Sequence, residues 1–454
     1  MYAWIFQHAL LPMVEYRHKM HIRDHLREFE QTQWWDPNDL QELQNRRLRA
    51  LIRHAYEHVP YYRRLFSNHG LRPHDIQTTQ DLVKLPILTR DDVRQHFNEL
   101  TSTDMPRRRY KLNRTGGSTG EPLKFYIDWD AWGASWACIY LGWRIAGYRF
   151  GDRMANLGGT SLFPDTSASL KTRLRRAIER NRALSATHMS EPIMADYCRQ
   201  LRKHQPRFLR GYPSALVVFA KFLTSHGGVP FSPEAVFTTA EVLYPHQREV
   251  IEDVFRCKVF DGYGCGDGGG SAIECSEHQG HHIIVQRAVL EIVGSDGSPV
   301  SPKTCGRVAW TDLCNYAMPF IRYHGGDMAV AASEYCRCGR GLPLVETLLG
   351  RTTQTIRFAN GNVLSGPAVT LIFKEFPIRQ YQVVQTDLHT LRMRIVRDWG
   401  FTEDHSKRLS STFRYHVGEG VRVHLEYVND IPPTRSGKRL YVIADVQSAD
   451  ETAR

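Results

Sequence analysis

Short apolar runs alternate with helical stretches between about residues 110 and 330, and this alternation constrains the fold more than any other feature. The runs 217–220, 235–239 and 258–263 have the length of buried strands, and 245–255 has helical periodicity. Strands that alternate with helices are typical of a sheet covered by helices. The sequence therefore predicts a large, multi-layer α/β domain.

A different, compact series of elements follows Gly350 and Arg351. The pattern predicts strands at 354–358, 379–385, 391–396 and 421–427, and helices at 367–376 and 402–417. This order is the plan of a small ferredoxin-like α+β domain. We therefore predict a C-terminal domain over 351–454, hinged near residue 350.

The first hundred residues are polar, and their leucines recur at helical spacing, as in Leu40, Leu43, Leu48 and Leu51. We expect residues 1–100 to be a helical segment of the large domain and 101–350 to be its body. At roughly 150 residues per domain, a chain of 454 residues accommodates this division.

The composition is that of a globular protein, with 42% hydrophobic and 24% charged residues, which excludes disorder, collagen and a coiled coil as whole-chain structures. The net charge of +11 suits nucleic acid, an acidic membrane or small polyanions such as ATP and coenzyme A. The basic residues concentrate in 107–109, 171–182 and 199–210. Each stretch is most simply a solvated face.

The apolar stretch 2–14 is interrupted by polar residues and is shorter than the roughly 20 residues that span a bilayer. It also lacks the basic region and cleavage site of a signal peptide. We expect a cytoplasmic protein without a transmembrane segment. Helical spacing leaves two alternatives for this stretch, a helix packed on its own domain or an amphipathic helix on a membrane surface.

A glycine-rich segment carries the first chemical signal. It comprises Thr115, Gly116, Gly117, Ser118, Thr119 and Gly120 and precedes the strand-like 125–127. Glycines let backbone N–H groups approach phosphate oxygens, and the hydroxyl groups add donors. The segment lacks the Gly-Lys-Ser/Thr ending of a Walker A loop. It predicts a phosphate cradle of another kind.

This order of residues resembles the phosphate loop of adenylate-forming enzymes, the superfamily of acyl-CoA synthetases and adenylation domains. The phenylacetate-CoA ligase family and its capsule-locus relatives are the most similar members. Further segments follow in that family's order: 240–241, 261–267, 323–327, 350–351 and 433–438. The resemblance implies a large nucleotide-binding domain followed by a mobile domain that carries Lys438.

The resemblance also implies a role for individual residues. Lys438 would be catalytic, and Asp267 would help to hold Mg²⁺. Besides the glycine-rich segment, the residues implied to bind ATP or AMP are Ala240, Glu241, Asp261, Tyr263, Asp327 and Arg351. Asp267, His324, Gly325 and Thr353 depart from the family pattern. These departures bear on domain rotation and thioester formation more than on adenylation.

Five aromatic residues of one stretch, Trp129, Trp132, Trp136, Tyr140 and Trp143, recur every three or four positions. Such a stripe predicts one helix, most simply packed in the core. In the resembling family the helix at this place borders the acyl pocket, so Trp136 and Tyr140 are candidates to line it. Bulky rings favour a small or aromatic acid over a long acyl chain.

Nine cysteines in a long chain are not a disulfide scaffold, and reduced thiols or metal ligands are more typical. Cys275, His282, Cys336 and Cys338 have the chemistry of a tetrahedral zinc set. By sequence alone His281 is an equally placed ligand. Relatives carry a similar pattern, which favours structural zinc over unliganded thiols.

These observations predict an ATP-dependent, Mg²⁺-dependent enzyme that converts a carboxylic acid to an acyl-adenylate and transfers the acyl group, most simply to CoA. An amine or a sugar amino group is the alternative acceptor. A zinc-stabilised nucleic-acid binder and a non-catalytic scaffold are alternatives of other classes, but no nucleic-acid-binding motif is found. Assembly as a homodimer stays open.

Overall fold

The computed structural model describes residues 2–105, 109–115, 123–159, 176–187, 189–351, 355–360, 363–365, 369, 372–373, 375–418, 420–434 and 437–444. Its helices are α1 (Tyr2–Ile5), a π-helical segment (Phe6–Leu10), α2 (Leu11–His18), α3 (Ile22–Thr32), α4 (Pro37–His58), α5 (Pro60–Asn68), α6 (Arg90–Gln95), α7 (Phe97–Leu100), α8 (Trp129–Ile145), α9 (Glu191–His204), α10 (Pro213–Ser225), α11 (Pro245–Phe255) and α12 (Glu403–Val417). Short 3₁₀ helices cover Pro73–Asp75 and Thr79–Lys84.

The strands are β1 (Tyr110–Arg114), β2 (Lys124–Asp128), β3 (Met154–Gly158), β4 (Asn181–Ser185), β5 (Phe208–Gly211), β6 (Ala235–Thr239), β7 (Lys258–Cys265), β8 (Gly270–Glu274), β9 (His281–Ile283), β10 (Ala288–Val293), β11 (Cys305–Asp312), β12 (Asp327–Ala331), β13 (Leu344–Arg351), β14 (Thr355–Arg357), β15 (Val363–Ser365), β16 (Ile378–Asp387), β17 (Thr390–Arg397), β18 (Arg422–Tyr427) and β19 (Val442–Ala444).

An eleven-stranded sheet organises the large domain, in the order β10-β11-β12-β13-β9-β8-β7-β6-β5-β3-β4. The five strands β4, β3, β5, β6 and β7 are parallel. Helices α10 and α11 connect β5 to β6 and β6 to β7, as parallel pairing requires. The carboxyl ends of these strands therefore meet at one edge, where open α/β sheets bind ligands.

The apolar run 217–220, predicted as a strand, lies inside helix α10, and this prediction is wrong. A short apolar run in a buried helix has no periodicity that distinguishes it from a strand. Pro213 at the first turn of α10 is the signal for a helix start. The strands predicted at 235–239 and 258–263 and the helix at 245–255 are present.

The N-terminal helices are part of the large domain's core. Asp36 caps α4 by accepting a hydrogen bond from the Asn38 backbone N–H at 2.9 Å, and Pro37 occupies the first turn. Leu48 and Leu51 of α4 are fully buried and belong to the same apolar cluster as strands β10 to β13. Burial against the sheet thus determines how these helices pack.

Residues 2–18 are helical, and they present apolar side chains to two environments. Phe6 and Leu11 are buried in the large core, whereas Trp4 is 64% exposed and Met13 is also exposed. Among the described residues, no helix combines the length and the apolar character needed to cross a membrane.

The C-terminal domain has a core of its own, formed by side chains between Ile356 and Val442. Its four-stranded sheet has the order β18-β17-β16-β19, and the predicted strands at 379–385, 391–396 and 421–427 and the helix at 402–417 are present. Most of the helix predicted at 367–376 lies outside the described residues. The α/β class with a smaller α+β C-terminal domain is confirmed.

The ferredoxin-like strand order is wrong. Strand β14, which corresponds to the prediction at 354–358, pairs with β15 in a separate two-stranded sheet. The sequence Asn360-Gly361 between them is typical of a tight hairpin turn, which explains the local pairing. β19 occupies the sheet edge beside β16 by parallel pairing.

Two glycines, Gly269 and Gly270, allow the start of β8 to pack directly on side chains of β11. At Gly270 a Cβ would overlap the indole ring of Trp310, and at Gly269, with φ of +70°, it would overlap the Asp312 carboxyl group. Trp310 and Asp312 are both buried. This close approach fixes the segment that follows Asp267.

We expect Gly270→Ala to lower the free energy of unfolding by about 2–3 kcal/mol, because the added methyl group overpacks against Trp310. Chemical denaturation followed by circular dichroism measures the change. Gly264→Ala is the matched control, since no atom lies within 4 Å of its Cβ position. Equal stability of the two variants would contradict the packing argument.

Candidate active site

A cavity of about 1120 Å³ lies at the carboxyl ends of β5, β6 and β7. Residues of the large domain and of the C-terminal stretch 438–443 both line it. The predicted site residues that line this cavity are Thr115, Trp136, Ala240, Glu241, Asp261, Tyr263, Asp267, Asp327 and Lys438. Residues separated by more than 300 positions in the chain thus share one site.

Thr115 closes the base of the glycine-rich segment. Strands β1 and β2 pair up to Arg114 and Lys124, and the Thr115 Oγ1 accepts a hydrogen bond from the Leu123 N–H at 2.9 Å. Gly116, Gly117, Ser118, Thr119 and Gly120 lie outside the described residues. The hairpin therefore places Thr115, the first residue of the predicted phosphate cradle, at the cavity.

Asp267 follows β7 and is nearly buried. Its Oδ2 accepts a hydrogen bond from the Tyr323 hydroxyl group at 2.7 Å and lies 3.8 Å from the Arg90 guanidinium group. Arg90 also lies 3.4 Å from the Thr115 Oγ1, and its Nε is buried without a partner among the described residues. Arg90 was not predicted. Its only sequence signal is the capping pattern at Thr89 and Asp92, which starts α6.

A carboxylate that reaches the cavity is a suitable oxygen ligand for Mg²⁺, which takes one or two carboxylates together with substrate phosphates. Asp267 meets this requirement, because it lines the cavity together with Thr115 and, among the described residues, its second oxygen, Oδ1, has only the weak Cys265 thiol donor at 3.4 Å. The donor set at this position therefore fits Mg²⁺.

Asp327 begins β12, and its Oδ2 accepts a hydrogen bond from the Tyr263 hydroxyl group at 2.7 Å. Burial, and then the charge of Asp327, raise the pKa of Tyr263 well above its usual range, so this hydroxyl group remains a donor. Register pairs Asp327 with Arg351 on β13, although the Arg351 side chain lies outside what the structure describes. The sheet thus brings three predicted nucleotide-binding residues together.

Asp261 lines the cavity and is held by protein partners. Its two carboxylate oxygens accept hydrogen bonds from the Thr238 hydroxyl group at 2.5 Å and from His281 Nε2 at 2.9 Å. Both oxygens therefore contact protein partners that link β6, β7 and β9. This arrangement makes Asp261 a brace of the cavity wall, and its contact with a nucleotide stays a prediction.

Glu241 connects three segments. Its carboxylate accepts hydrogen bonds from the Ser214 N–H and Oγ–H at the start of α10, each at 3.0 Å, and from the Arg439 N–H at 3.0 Å. Burial raises the pKa of Glu241, although these bonds and the Lys438 charge oppose the rise. The residue next to Lys438 is thereby fixed to the large domain.

Lys438 lines the cavity at the end of a closed turn. The Thr434 N–H donates to the Lys438 carbonyl oxygen at 2.8 Å, and the Lys438 N–H donates to the Thr434 Oγ1 at 3.2 Å. Gly437 has φ of +82°, which favours glycine, and a Cβ there would lie 3.4 Å from the Gly159 Cα. The Ser-Gly-Lys order therefore suits a turn that contacts the large domain.

The aromatic stripe is the helix α8, but its members do not all face the cavity. Trp132, Trp136 and Trp143 line the cavity, whereas Tyr140 does not. Tyr140 instead packs edge-on against Phe150, with ring centroids 4.7 Å apart. The prediction of Tyr140 as a lining residue is therefore not supported, because the helix turns its ring toward the core.

Two further residues line this aromatic end, and both come from neighbouring strands. They are Phe237 of β6 and Arg210 of β5. Arg210 belongs to the basic stretch 199–210, which the sequence suggests is a solvated face, and that interpretation is wrong for this residue. Its charge is at the cavity, where burial lowers the pKa of Arg210 to about 10.

A second cluster lies outside this cavity. The ligand atoms of Cys275, His282, Cys336 and Cys338 all lie within 4.8 Å of one another. The Cys275 and Cys336 sulfur atoms are 3.6 Å apart, and the Cys338 Sγ is 3.4 Å from His282 Nε2. Burial lowers the pKa of His282 to about 4, so its imidazole is neutral, as a metal ligand must be.

The geometry of strand β9 determines which of the two adjacent histidines faces the cysteine cluster. Successive side chains of a strand point to opposite faces, so His281 and His282 of β9 have different partners. His281 contacts Asp261, whereas His282 faces the cysteines. The sequence alone left both open as ligands.

Comparison with known proteins identifies the family. Residues 357–445 match the CapK C-terminal domain. Protein CapK of Staphylococcus aureus is 25% identical over 431 residues, which cover 90% of each chain. Phenylacetate-coenzyme A ligase of Escherichia coli (strain K12) is 30% identical over 303 residues, covering 64% of this chain and 67% of the relative. The chain belongs to the phenylacetate-CoA ligase family.

As a member of the phenylacetate-CoA ligase family, the protein is an adenylate-forming ligase. The family and the enzyme class predicted from the sequence are both confirmed. A crystal structure of 2-hydroxyisobutyryl-CoA ligase in the postadenylation state has the same fold, with a TM-score of 0.70 and 18% identity over 91% of both chains. The nucleic-acid binder and the scaffold are therefore not the function of this chain.

The C-terminal domain contributes directly to the cavity. In this member of the phenylacetate-CoA ligase family, Lys438 lines the cavity and Arg439 bonds to Glu241. The cavity wall is therefore completed by residues of both domains.

Ala240 adopts a backbone conformation that is unusual for alanine, with φ of +70°. We expect Ala240→Gly to raise the free energy of unfolding by about 0.5–1 kcal/mol, because relief of the left-handed conformation outweighs the added backbone entropy. Chemical denaturation measures this gain. If Ala240→Gly instead lowers the free energy of unfolding by about 1 kcal/mol, which is the usual cost of an Ala→Gly substitution, the backbone of Ala240 is not strained.

Proposed function

We propose that this protein activates a small or aromatic carboxylic acid with ATP and then transfers the acyl group to CoA. One observation carries the proposal, namely that Lys438, Asp267, Asp327 and Tyr263 line a single cavity. Similarity to phenylacetate-coenzyme A ligases supports ATP and CoA as co-substrates. The three tryptophans on the cavity wall favour a short or flat acid.

The first step is attack of a carboxylate oxygen on the α-phosphorus of ATP, which forms the acyl-adenylate and releases pyrophosphate. The carboxylate is already ionised, so the step needs no general base. Negative charge accumulates on the α-phosphoryl and bridging oxygens, and fixed cations and donors lower its energy. Lys438 would supply the cation, while Thr115, Ser118 and Thr119 would supply hydroxyl donors.

Other residues would hold the nucleotide in place. Asp327, oriented by Tyr263, would accept hydrogen bonds from the ribose hydroxyl groups, with Arg351 on the adjacent strand near ribose and phosphate. Ala240 and Glu241 would form the turn that faces adenine. Asp267 would hold Mg²⁺, which would neutralise phosphate charge when bound.

In the second step the CoA sulfur attacks the acyl carbon, and AMP leaves. The contacts of Arg439 with Glu241 and of Tyr441 with Gln247 (3.2 Å) hold the C-terminal domain over the cavity. Release of these contacts would let the domain rotate away for thioester formation. Rotation about residue 350 is therefore part of the proposal.

An amine or a sugar amino group stays the alternative acceptor. The two acceptors give products of different mass. Incubation of the protein with ATP and a panel of acids, with CoA or with amines, followed by mass spectrometry, distinguishes adenylate, thioester and amide. If none of the acids in the panel causes the protein to consume ATP, the proposed function is contradicted.

Lys438→Ala should reduce acid-dependent pyrophosphate exchange by about 10²–10³-fold while ATP still binds, because the lost interaction belongs mainly to the transition state. Exchange of labelled pyrophosphate and calorimetric ATP titration measure the two effects. Lys221→Ala, on the exposed side of α10, is the matched control. Near-normal exchange in Lys438→Ala would remove Lys438 from this role.

We also propose that Cys275, His282, Cys336 and Cys338 hold a structural zinc ion. Three thiols and one imidazole with donor atoms within 4.8 Å of one another are a typical tetrahedral set. The ion would link β9 to the segment between β12 and β13. It would stabilise the wall that carries His281 and Asp261.

Protein purified without chelators should contain about one zinc per chain, since a preformed four-ligand site binds zinc tightly. Cys338→Ser should lose most of the zinc and melt at a lower temperature. The control Cys198→Ser, on α9, should keep the zinc content and the melting temperature of the wild type. Elemental analysis and thermal denaturation provide the readouts. Absence of zinc from the wild-type protein would refute the site.

A further inference from the structure

Arg210 lies in a row of side chains across the parallel strands. Register pairs it with Asn156 of β3 and with Phe237 of β6, and Phe237 in turn with Phe260 of β7. Side chains paired in register point to the same face of the sheet. Arg210, Phe237 and Phe260 all line the cavity, so the row forms its floor.

Helix α8 covers this floor with aromatic rings. The Arg210 guanidinium carbon lies 5.2 Å from the centroid of the Trp143 ring, and that ring stacks on Phe237 at 5.7 Å. Trp136 and Ile139 complete the wall of this part of the cavity. Among the described residues, the guanidinium group is thus a cation surrounded by the apolar side chains of Trp136, Ile139, Trp143, Phe237 and Phe260.

The chain pairs other buried or partly buried arginines with carboxylates. Arg287 lies 3.2 Å from the Asp312 carboxylate, Arg322 lies 2.9 Å from Glu291, and the partly buried Arg248 lies 2.7 Å from Glu274. Within the part of the chain that the structure describes, Arg210 is partly buried and has no carboxylate at ion-pair distance, and the titratable groups that raise its pKa are Tyr212 and Tyr140. A cation in an apolar wall without a counter-anion is costly unless a ligand supplies one.

This compartment lies on the acyl side of the cavity. The residues proposed for the nucleotide come from the hairpin after β1, the turn after β6, strands β7, β12 and β13, and the C-terminal domain, whereas Arg210 lies beside the tryptophans of α8. An acid bound with its reacting carboxylate at the phosphate end would direct its other end to this wall. A planar guanidinium group binds a carboxylate through paired hydrogen bonds.

We propose that the acid substrate is a dicarboxylate, and that Arg210 binds the carboxylate that does not react. The inference rests on the proposed function and narrows its substrate class. A monocarboxylic acid of the same shape leaves the cation without a partner in an apolar wall. The pocket would therefore select short or aromatic acids that carry a second negative charge at the end remote from the adenylated group.

Matched pairs of acids test the proposal with the full-length enzyme, ATP and Mg²⁺. The pairs are butyrate with succinate, benzoate with terephthalate, and phenylacetate with 4-carboxyphenylacetate, and acid-dependent pyrophosphate release gives kcat/KM for each. In the wild type we expect the dianion of at least one pair to exceed its partner by about tenfold or more, since an unpaired buried polar group penalises the analogue that lacks its partner.

Arg210→Met should lower kcat/KM for the dianion by about 10²-fold, leave the monoanion within about threefold, and keep the KM for ATP unchanged. Arg210→Lys should retain part of the preference. Arg202→Met, from the exposed side of α9 in the same basic stretch, is the matched control. Melting temperatures of the variants show whether the fold is intact.

Several results would overturn the dicarboxylate assignment. They are a wild-type preference for the monoanion in every pair, an equal loss for both acids in Arg210→Met, and a rise in the KM for ATP alone, which would assign Arg210 to a phosphate. Calorimetric titration of the wild type with each acid gives a readout without turnover. If dianions bind more tightly but no pyrophosphate forms, the proposed function fails and the Arg210 subsite stands.

Discussion

Parallel pairing of β5, β6 and β7 is the constraint on which the rest of the site depends. Each strand ends at the same edge of the sheet, so the residues that follow them converge, including Glu241 and Tyr263. The connecting helices α10 and α11 must cover the sheet faces for this pairing to form. The cavity is thus a consequence of topology, and the side chains at the strand ends decide its chemistry.

Glu241 extends this constraint to the C-terminal domain. Its carboxylate joins the first turn of α10 to the backbone of Arg439. The separate core between Ile356 and Val442 lets the C-terminal domain hold its shape independently of this contact. A rigid small domain attached through a few polar bonds is suited to bring Lys438 to the cavity and to leave it again.

Local patterns predicted elements where the pattern is periodic and bounded by clear signals. The strand 235–239 and the helix 245–255 are examples, since Pro245 marks the helix start. The prediction of a strand at 217–220 was wrong because four consecutive apolar residues occur both in buried strands and in buried helices. The predicted ferredoxin-like plan of the C-terminal domain was wrong because the strand order depends on the long-range pairing of β16 with β19, a strand of only three residues.

The site divides in the same way. Ordered motifs predicted Lys438, Asp267 and Asp327, because each stands in a short segment whose order along the chain resembles the family's, even though Asp267 itself departs from the family pattern. Arg210 and Arg90 were not predicted as site residues, since nothing adjacent in the sequence shows that their charged side chains face a cavity. Arg210 even lies in a basic stretch whose other members, such as Arg199 and Arg202, are solvated. Position in the fold, rather than local sequence, distinguishes them.

Charge completes the account of the cavity. The net charge of +11 could have reflected only solvated surface, and the buried Arg287 and Arg322 are each paired with a carboxylate. Arg210 and Lys438 instead bring positive charge to the cavity wall, one beside the tryptophans of α8 and one from the C-terminal domain. Since a low-dielectric wall strengthens each attraction, such a site favours ligands that bring several negative charges. ATP supplies them near Lys438, and a second carboxylate would supply one near Arg210.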